Sequence, residues 1–381
     1  MIEKLCMRQN YDGSCDIIIY IDRLDAEFAY EFLNGKLLHG FLSKAEGAKK
    51  IVAVRSIKLV VAGGLILSIP FSQFASKALY ESRRYAMSYV YFGSASQQIQ
   101  NVSLSYNTLN TVSPSYFDIN ADGTLKISGV SESFILAMHD NGIRVVPFLS
   151  NGWDRQSGIN ALKGMDKLSD GIAQVVETYN LDGINVDLEN LTELQRADYT
   201  RFIKLLREKI PPGKEVSVAV ASNPWGTAKG WQGSYDYRAL SEYSDYLFIM
   251  TYDEHYSGGS PGAVASLSFV DKSMQYALKN VPKEKIVVGI PFYGRLWSTD
   301  GNIKGLGISL NRIQELIKKY PHKVFVDAAS GSPVAHITVT DGFTLNGRTI
   351  KAGNYAIWYE DADSIKQKLA LVGKYGLKGA G

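Results

Sequence analysis

Apolar strand segments alternate with helical patterns from Tyr85 to the end of the chain, and this alternation most restricts the possible folds. Strands that alternate with helices form a parallel sheet. Seven strands are predicted, at residues 86–92, 110–118, 144–149, 183–189, 215–221, 246–252 and 285–292. Seven strands in this order need an eighth to close the sheet, so the pattern predicts an α/β fold, a (β/α)8 TIM barrel over residues 85–381.

The clearest helical pattern covers residues 193–210. Thr192 and Gln195 form a capping box at its start, which satisfies backbone N–H groups that a helix leaves unpaired. Apolar residues then recur at helical spacing between Tyr199 and Ile210, and the Pro-Pro-Gly sequence that follows ends the pattern.

The alternation breaks after the seventh strand. Residues 296–355 contain an amphipathic helix near 310–319 and β-type segments, including a hairpin at 343–350 with the Asn-Gly pair that tight turns prefer. We interpret this region as a small α+β insertion that walls one side of the barrel opening. Barrel alternation is predicted to resume at 356–360. Residues 379–381 would only begin the eighth strand, so we expect a truncated strand and an open barrel edge.

Residues 1–84 differ in composition and are predicted to be a small N-terminal extension. A strand is predicted at 16–21 and a short helix at 24–33. Residues 59–71 form an apolar run of 13 residues, interrupted by glycine and proline, which is too short to span a bilayer as a helix. Three interpretations of the run remain open: a buried segment of a small α/β domain, a membrane-associated segment, and an internal signal-like anchor.

The composition argues against several function classes. A net charge of +3, without a basic stripe interleaved with aromatic residues, argues against binding of nucleic acid. The two cysteines, Cys6 and Cys15, lie near the N-terminus, so the main body of the chain has no disulfide framework and no thiol chemistry. The five histidines are scattered without metal-ligand spacing, so we predict no metal site and no cofactor.

The predicted strand at residues 183–189 has one polar face. Because side chains alternate along a strand, Asn185, Asp187 and Glu189 share this face, and three apolar residues share the other. A buried parallel strand normally carries apolar residues on both faces. The carboxylates converge on the carboxyl end of the strand, where barrel enzymes carry out their chemistry. The alternative is a polar strand end whose side chains are bound to water.

Four motifs carry a family resemblance. Residues 182–189 (DGINVDLE) resemble the fourth-strand signature of family 18 glycoside hydrolases, the chitinase family. Residues 250–253 (MTYD) are similar to the sixth-strand motif of that family, and residues 289–295 (GIPFYGR) to the seventh. Residues 148–152 (FLSNG) are similar, more loosely, to the third. Within the family, the chain most resembles bacterial spore enzymes that cut cortex peptidoglycan at N-acetylglucosamine.

The resemblance implies hydrolysis of β-1,4-linked N-acetylglucosamine bonds, either in spore cortex peptidoglycan or in chitin-type oligomers. It implies a polysaccharide partner that contains N-acetylglucosamine and a location in the spore or cell envelope. It also leaves open an association of residues 1–84 with a membrane or the spore coat.

The strand geometry restricts the mechanism. Two carboxylates on one face of a strand, two residues apart, are separated by about 6.6 Å along one direction. They cannot easily lie on opposite faces of a sugar ring, as a pair with an enzymic nucleophile or an intervening water requires. The resemblance implies the substrate's own 2-acetamido oxygen as nucleophile, with net retention. It implies Glu189 as general acid, Asp187 as orienting group and Tyr252 as donor to the acetamido oxygen.

Asn185 belongs to the same catalytic group and departs from the common pattern. Many chitinases have Asp at this position, and the amide should remove a like-charge coupling and change the pH profile. A second departure is expected at strand eight, where the family has a Trp beneath the sugar and residues 379–381 end before it. Asp182 is expected to be a hydrogen-bonding residue rather than a catalyst.

Further side chains near the ends of predicted strands are candidates for binding the sugar. The expected substrate contacts are Tyr91, Asn151, Asp253, Tyr293, Arg295 and Trp297. Three more tryptophans in loops after strands are candidate stacking platforms: Trp153, Trp225 and Trp231.

Two other functions remain open. A catalytically impaired, chitinase-like sugar-binding protein would keep the fold; the presence of Glu189 argues against it, and the truncated eighth strand argues for it. A metal-dependent barrel enzyme would use Asp187 and Glu189 as magnesium ligands, but a third ligand or a phosphate-binding loop near a strand end is not apparent.

Overall fold

The chain divides into two compact units, residues 1–84 and residues 85–381, and each is described by itself. The structure is a computed structural model and describes residues 2–9, 15–21, 54–61, 64–70, 84–105 and 108–381. The short helix predicted at 24–33 lies outside the described residues.

A four-stranded sheet forms the described part of the first unit. Its strands, in sheet order, are β1 Ile2–Gln9, β2 Cys15–Ile21, β3 Val54–Val61 and β4 Gly64–Pro70. β2 pairs antiparallel with β1 and parallel with β3, and β3 pairs antiparallel with β4. Most of the apolar run at 59–71 therefore lies in the β3–β4 hairpin, which favours the interpretation as a segment of a small folded domain. None of the helices that the structure describes is long and apolar enough to cross a membrane.

The second unit is built on strands that alternate with helices. Its first nine strands are β5 Tyr85–Val90, β6 Thr111–Pro114, β7 Phe117–Ile119, β8 Leu125–Ile127, β9 Arg144–Val145, β10 Phe148–Ser150, β11 Gly183–Asp187, β12 Glu215–Ala221 and β13 Tyr246–Met250. The remaining strands are β14 Ile286–Val288, β15 Tyr293–Ser298, β16 Leu306–Ser309, β17 His322–Val326, β18 Pro333–Val339, β19 Phe343–Leu345, β20 Arg348–Ile350, β21 Gly353–Trp358 and β22 Gly379–Ala380.

The described helices follow the predicted alternation. They are α1 Ala95–Ser103, α2 Glu132–Asp140, α3 Arg155–Lys163, α4 Met165–Thr178, α5 Arg196–Lys209, α6 Gly230–Gly233, α7 Tyr237–Tyr243, α8 Leu267–Asn280, α9 Leu310–Lys319 and α10 Ala362–Tyr375. A 3₁₀ turn, Glu193–Gln195, leads into α5, and the predicted capping box of Thr192 and Gln195 is present there. A second 3₁₀ turn, Lys283–Lys285, precedes β14.

Parallel pairings connect the strands of the barrel in a ring. β5 pairs with β6. The second barrel strand is divided into β6 and β7, and the third into β9 and β10, so β6 pairs with β9 and β7 pairs with β10. Each strand from β10 to β13 then pairs with its successor in the chain, which brings the sheet to β14. β22 pairs with both β14 and β5, so the sheet returns to its starting strand.

The expected open edge at strand eight is therefore wrong. Gly379 and Ala380 pair with Val287 and Val288 on one side and with the start of β5 on the other. The approach is close, because a Cβ on Gly379 would lie 1.8 Å from the carbonyl oxygen of Tyr85. Two residues are enough to join the neighbouring strands where the first of them has no side chain.

Prolines interrupt two of the predicted strands. β6 ends at Pro114, and Pro147 separates β9 from β10, because proline has no N–H to donate to a sheet. Other strands are shorter than predicted: β11 ends at Asp187, β13 at Met250 and β14 at Val288. The motif residues directly after them lie in loops at the carboxyl end of the barrel, whereas Tyr293, Gly294 and Arg295 of the seventh motif belong to β15.

The insertion after the seventh barrel strand is a separate antiparallel sheet. Its five strands have the order β16-β15-β21-β18-β17, and α9 packs against it. The expected return to the barrel at 356–360 is wrong, since β21 pairs antiparallel with β15 and β18. The predicted hairpin is present as β19 and β20, with Asn346 at φ 50° and Gly347 at φ 74° in its turn.

Two apolar clusters support the barrel. One lies between the strands and the surrounding helices and includes the α5 stripe of Tyr199, Phe202, Ile203 and Leu206. The other consists of alternate residues on barrel strands that face the interior: Met87, Ala219, Tyr246, Phe248, Met250 and Val287. The interior is thus filled by side chains, which leaves the carboxyl end of the strands for a site.

Candidate active site

Asn185 is completely buried in the barrel interior, and both ends of its amide are hydrogen bonded. Its Oδ1 accepts from the Tyr89 hydroxyl at 2.8 Å, and its Nδ2 donates to Ser217 Oγ at 2.9 Å. Ser217 Oγ donates to Glu215 Oε1 at 3.0 Å, and Arg144 forms an ion pair with Glu215 at 2.9 Å. An uncharged, fixed amide therefore precedes Asp187, at the end of β11, and Glu189, which follows the strand.

Asp187 is the last residue of β11 and lies beside Ser150 of β10. Burial raises the pKa of Asp187 to about 7. Its Oδ1 is buried and has no hydrogen-bond partner among the residues that the structure describes. Since buried acceptors are normally bonded, this oxygen is suited to accept an N–H from a ligand.

Glu189 is held through its backbone by Asn151. Asn151 Oδ1 accepts from the Glu189 N–H at 2.8 Å, and Asn151 Nδ2 donates to the Glu189 carbonyl at 2.9 Å and to the Asp154 carbonyl at 2.8 Å. Asn151 itself is buried, and its amide supports the backbone of the acid, while its contact with the sugar stays a prediction. Burial, followed by the charges of Asp187 and Asp253, raises the pKa of Glu189 to about 8.

Tyr252 and Asp253 follow β13 directly. Burial raises the pKa of the Tyr252 phenol well above its ordinary value, and the nearby charges of Asp187, Glu189 and Asp253 raise it further. The phenol therefore keeps its proton and can act as a donor. Tyr252 is partly buried and lines the same cleft as the two carboxyl groups.

Asp253 organises the predicted residues of the seventh motif. Its backbone is in the left-handed region at φ 58°. Its Oδ1 accepts from the Tyr293 hydroxyl at 2.5 Å, from Arg295 Nη2 at 2.7 Å and from Arg295 Nε at 3.0 Å. Arg295 also donates to the Gly305 carbonyl at 2.9 Å, so it ties the loop after β13 to the insertion.

A cleft of about 780 Å³ lies above the strand ends. Asp187, Glu189, Tyr252, Asp253 and Arg295 line it, and so do three predicted stacking residues: Trp153, Trp225 and Trp231. Trp153 is 50% exposed and Trp225 is 70% exposed, while Trp231 contacts Trp153 edge to face at 4.9 Å between ring centroids. Large flat side chains next to carboxyl groups suit a ligand with both apolar ring faces and polar edges.

The structure separates two other predicted residues from this cleft. Trp297 is only 2% exposed, donates its indole N–H to the Gly259 carbonyl and does not line the cleft, so its contact with a sugar ring stays a prediction. Tyr91 is 61% exposed and packs on Phe148, but it does not line the cleft. Asp182 accepts from the Val145 N–H and bonds to His139, a hydrogen-bonding role as expected.

Sequence reasoning missed several cleft residues. Ser222 follows β12, Gln232 lies on α6, and Glu254 and Tyr256 follow Asp253. The signal that could have found them is position, because each lies in a connection that leaves the carboxyl end of a barrel strand. Among the described residues, no group of three or more His, Cys, Asp or Glu side chains could hold a metal ion.

Known proteins share this sequence pattern. The family model for glycosyl hydrolases family 18 matches residues 87–381. The uncharacterized glycosylase YvbX of Bacillus subtilis is 28% identical over 217 residues, which cover 56% of this chain and 60% of the relative. The cortical fragment-lytic enzyme of Bacillus subtilis is 30% identical over 218 residues, 56% of this chain and 48% of the relative. The chain thus spans about half the length of most of these relatives.

Solved structures show the same fold. The spore cortex-lytic enzyme SleL of Bacillus cereus has a TM-score of 0.67 at 23% identity, covering 78% of this chain and 70% of that chain. A chitinase from Chromobacterium violaceum has a TM-score of 0.68 at 25% identity, covering 77% of this chain and 92% of that chain. Since the family model matches most of the sequence and the fold agrees, the chain belongs to glycosyl hydrolase family 18.

Proposed function

We propose that this protein hydrolyses β-1,4-linked N-acetylglucosamine bonds by a retaining, substrate-assisted mechanism. The observation that carries the proposal is the pairing of two carboxyl groups at the carboxyl end of β11, both with pKa values raised by burial, beside the Tyr252 phenol. The two other carboxylates that line the cleft are occupied by hydrogen bonds: Asp253 accepts from Tyr293 and Arg295, and Glu254 accepts from Ser266. The nucleophile is therefore the 2-acetamido oxygen of the substrate.

Glu189 acts as the general acid in the first step. Its raised pKa keeps it protonated near neutral pH, and it gives that proton to the leaving glycosidic oxygen. The bond between this oxygen and the anomeric carbon breaks while the acetamido oxygen bonds to the same carbon. The product is an oxazolinium-like ring, and Glu189 is left as the carboxylate.

Asp187 and Tyr252 hold the acetamido group during this step. The buried Oδ1 of Asp187 accepts the acetamido N–H and stabilises the positive charge that develops on nitrogen. The Tyr252 hydroxyl donates to the acetamido oxygen and directs it to the anomeric carbon. Water then attacks the anomeric carbon while the bond from that carbon to the acetamido oxygen breaks, so the acetamido group is regenerated. The attacking water gives a proton to Glu189, which restores the acid and completes net retention.

We propose a glycan of the spore cortex or cell envelope as the substrate. The support is the similarity to cortical fragment-lytic enzymes, although relatives also include the di-N-acetylchitobiase of the rat. The exposed faces of Trp153 and Trp225 suit chains of sugar rings in either material. Residues 1–84 would then attach the enzyme to the spore coat or to a membrane surface.

Product analysis tests the function. Purified wild-type protein should release shorter oligomers from N-acetylglucosamine chains or from isolated cortex peptidoglycan, with the β-anomer formed first. Glu189→Gln should reduce turnover by about 10²–10⁴-fold while it retains binding, because the amide cannot donate a proton of comparable acidity. Glu177→Gln changes an exposed carboxyl on α4 and is the matched control. Wild-type turnover in Glu189→Gln would remove Glu189 as the acid.

The nucleophile is tested with de-acetylated substrate. Removal of the acetamido group takes away an intramolecular nucleophile whose effective concentration is on the order of 10⁵–10⁸ M in well-oriented systems. De-acetylated oligomers should bind but resist cleavage. Equal rates on acetylated and de-acetylated chains, or release of the α-anomer first, would refute substrate assistance.

A further inference from the structure

The peptide group that joins Leu188 to Glu189 is held at both ends by side chains. Its carbonyl oxygen accepts from the Tyr235 hydroxyl at 2.9 Å, and its N–H donates to Asn151 Oδ1 at 2.8 Å. β11 ends at Asp187, so this peptide lies outside the strand ladder and depends on such bonds. Rotation of the peptide plane would move the Cα of Glu189 and, with it, the carboxyl group.

Tyr235 is buried, and its hydroxyl both donates and accepts a hydrogen bond. It donates to the Leu188 carbonyl and accepts from the indole N–H of Trp231 at 2.9 Å. A hydroxyl that accepts one hydrogen bond becomes a stronger donor in another, especially away from water. A second buried phenol, that of Tyr199, accepts from the Leu188 N–H at 3.4 Å. The phenol of Tyr235 therefore connects a wall of the cleft to the backbone of the acid.

We propose that Tyr235 is a positioning residue for the general acid, an inference that rests on the proposed function. Its hydroxyl fixes the peptide plane from which Glu189 projects, and Trp231 fixes the hydroxyl. The residue does not touch the reacting atoms, since it is buried and does not line the cleft. Its loss should misplace the carboxyl of Glu189 without removing any group that binds the sugar.

This role has a consequence that a purely structural role lacks. A misplaced general acid slows the departure of a sugar, because the leaving oxygen of the sugar must be protonated. It has little effect on a leaving group that departs as a stable anion. Tyr235→Phe should therefore lower kcat about tenfold on an N-acetylglucosamine oligomer, because small displacements of catalytic groups have large effects on rate. KM should stay within about twofold, since the groups that contact substrate are unchanged. On the 2,4-dinitrophenyl glycoside of the same sugar, kcat should fall less than about threefold.

Tyr237→Phe is the matched control. Tyr237 is also buried, and its hydroxyl donates to the Ala221 carbonyl at 2.5 Å, at the end of the neighbouring strand β12. Both variants lose one buried phenol that holds a backbone carbonyl, so their thermal stabilities should fall by similar amounts. Only Tyr235→Phe should change the ratio of kcat on the oligomer to kcat on the dinitrophenyl glycoside.

The outcomes separate this inference from the function on which it rests. A wild-type chain inactive on both substrates would overturn the function and the role together. An active wild type with equal losses on both substrates in Tyr235→Phe would overturn the role alone. If Tyr235→Phe does not fold, Trp231→Phe removes the indole N–H while leaving the phenol in place. This variant should shift the same ratio in the same direction by about two- to fivefold, and an unchanged ratio would overturn the proposal.

Discussion

Removing the charge of Glu189 should stabilise the fold at alkaline pH, although it lowers turnover by about 10²–10⁴-fold. Burial, with the charges of Asp187 and Asp253, raises the pKa of Glu189 from 4.5 to about 8. The folded protein therefore retains this proton at pH values where the unfolded chain has released it. The contribution of this carboxyl group to the free energy of unfolding is fully present below about pH 4. It is lost as the pH rises through about 8. Gln at this position has no proton to lose.

The size of the effect follows from the shift. One pKa unit corresponds to about 1.4 kcal/mol, so a rise from 4.5 to about 8 sets an upper limit of about 5 kcal/mol. Glu189 lines an open cleft, and solvent there screens the charge. We therefore expect Glu189→Gln to be about 2–3 kcal/mol more stable than wild type at about pH 9, and within about 1 kcal/mol of it at about pH 4.5.

Urea unfolding at both pH values measures this difference. Wild type, Glu189→Gln and the exposed control Glu177→Gln should have similar slopes, so that midpoints report the free energy of unfolding. The difference between wild type and Glu189→Gln should grow from acid to alkaline pH, and that between wild type and Glu177→Gln should not. If the free energies of unfolding of wild type and Glu189→Gln differ by the same amount at both pH values, the idea that the fold raises the pKa of this carboxyl is refuted.

Three further results are expected. Asn151→Ala should lower kcat about 100-fold by releasing the backbone of Glu189, whereas Asn223→Ala, which frees a similar pair of backbone bonds in another loop, should mainly lower Tm. Equal kcat losses would contradict this. On the alkaline side, kcat/KM should fall as the pH passes about 8, because Glu189 must carry its proton; a flat profile to pH 10 would oppose this. Gly379→Ala should lower Tm by more than about 6 °C or prevent soluble expression, because a Cβ at this position has no room. Gly307→Ala is the control and should do neither, because a Cβ at that position would have no atom within 4 Å. A wild-type Tm for Gly379→Ala would contradict the close approach.

Local patterns in the sequence predicted much of the barrel. The capping box at Thr192, the Asn-Gly turn at Asn346 and the alternating faces of β11 each depend on neighbours within a few residues. Such features are set by short-range sterics and hydrogen bonding, so they can be inferred from sequence alone. The motifs at Glu189 and Tyr252 likewise identified side chains that the fold brings into one cleft.

Features that depend on distant partners were predicted less well. Trp297 was expected to face a sugar, but the loop at Gly259 covers its indole. Asn151 was expected to contact substrate, but its amide is used for the backbone of Glu189, which is 38 residues away in the chain. Residues 356–360 were predicted to return to the barrel, but they overlap β21, which joins the sheet of the insertion, and the length and apolar content of a strand do not reveal which sheet it joins. In each case a long-range contact decides the outcome.

The ring closure at β22 has a consequence for how the barrel folds. Tyr85 pairs with Gly379, and these residues come from opposite ends of the second unit. Contacts between such distant positions are slow to form, because a long loop must close before they stabilise the fold. Until then, β5 and β14 each present an unpaired edge to other chains. The yield of native protein should therefore depend on chain concentration during refolding, and the short glycine-led strand is the step at which folding competes with aggregation.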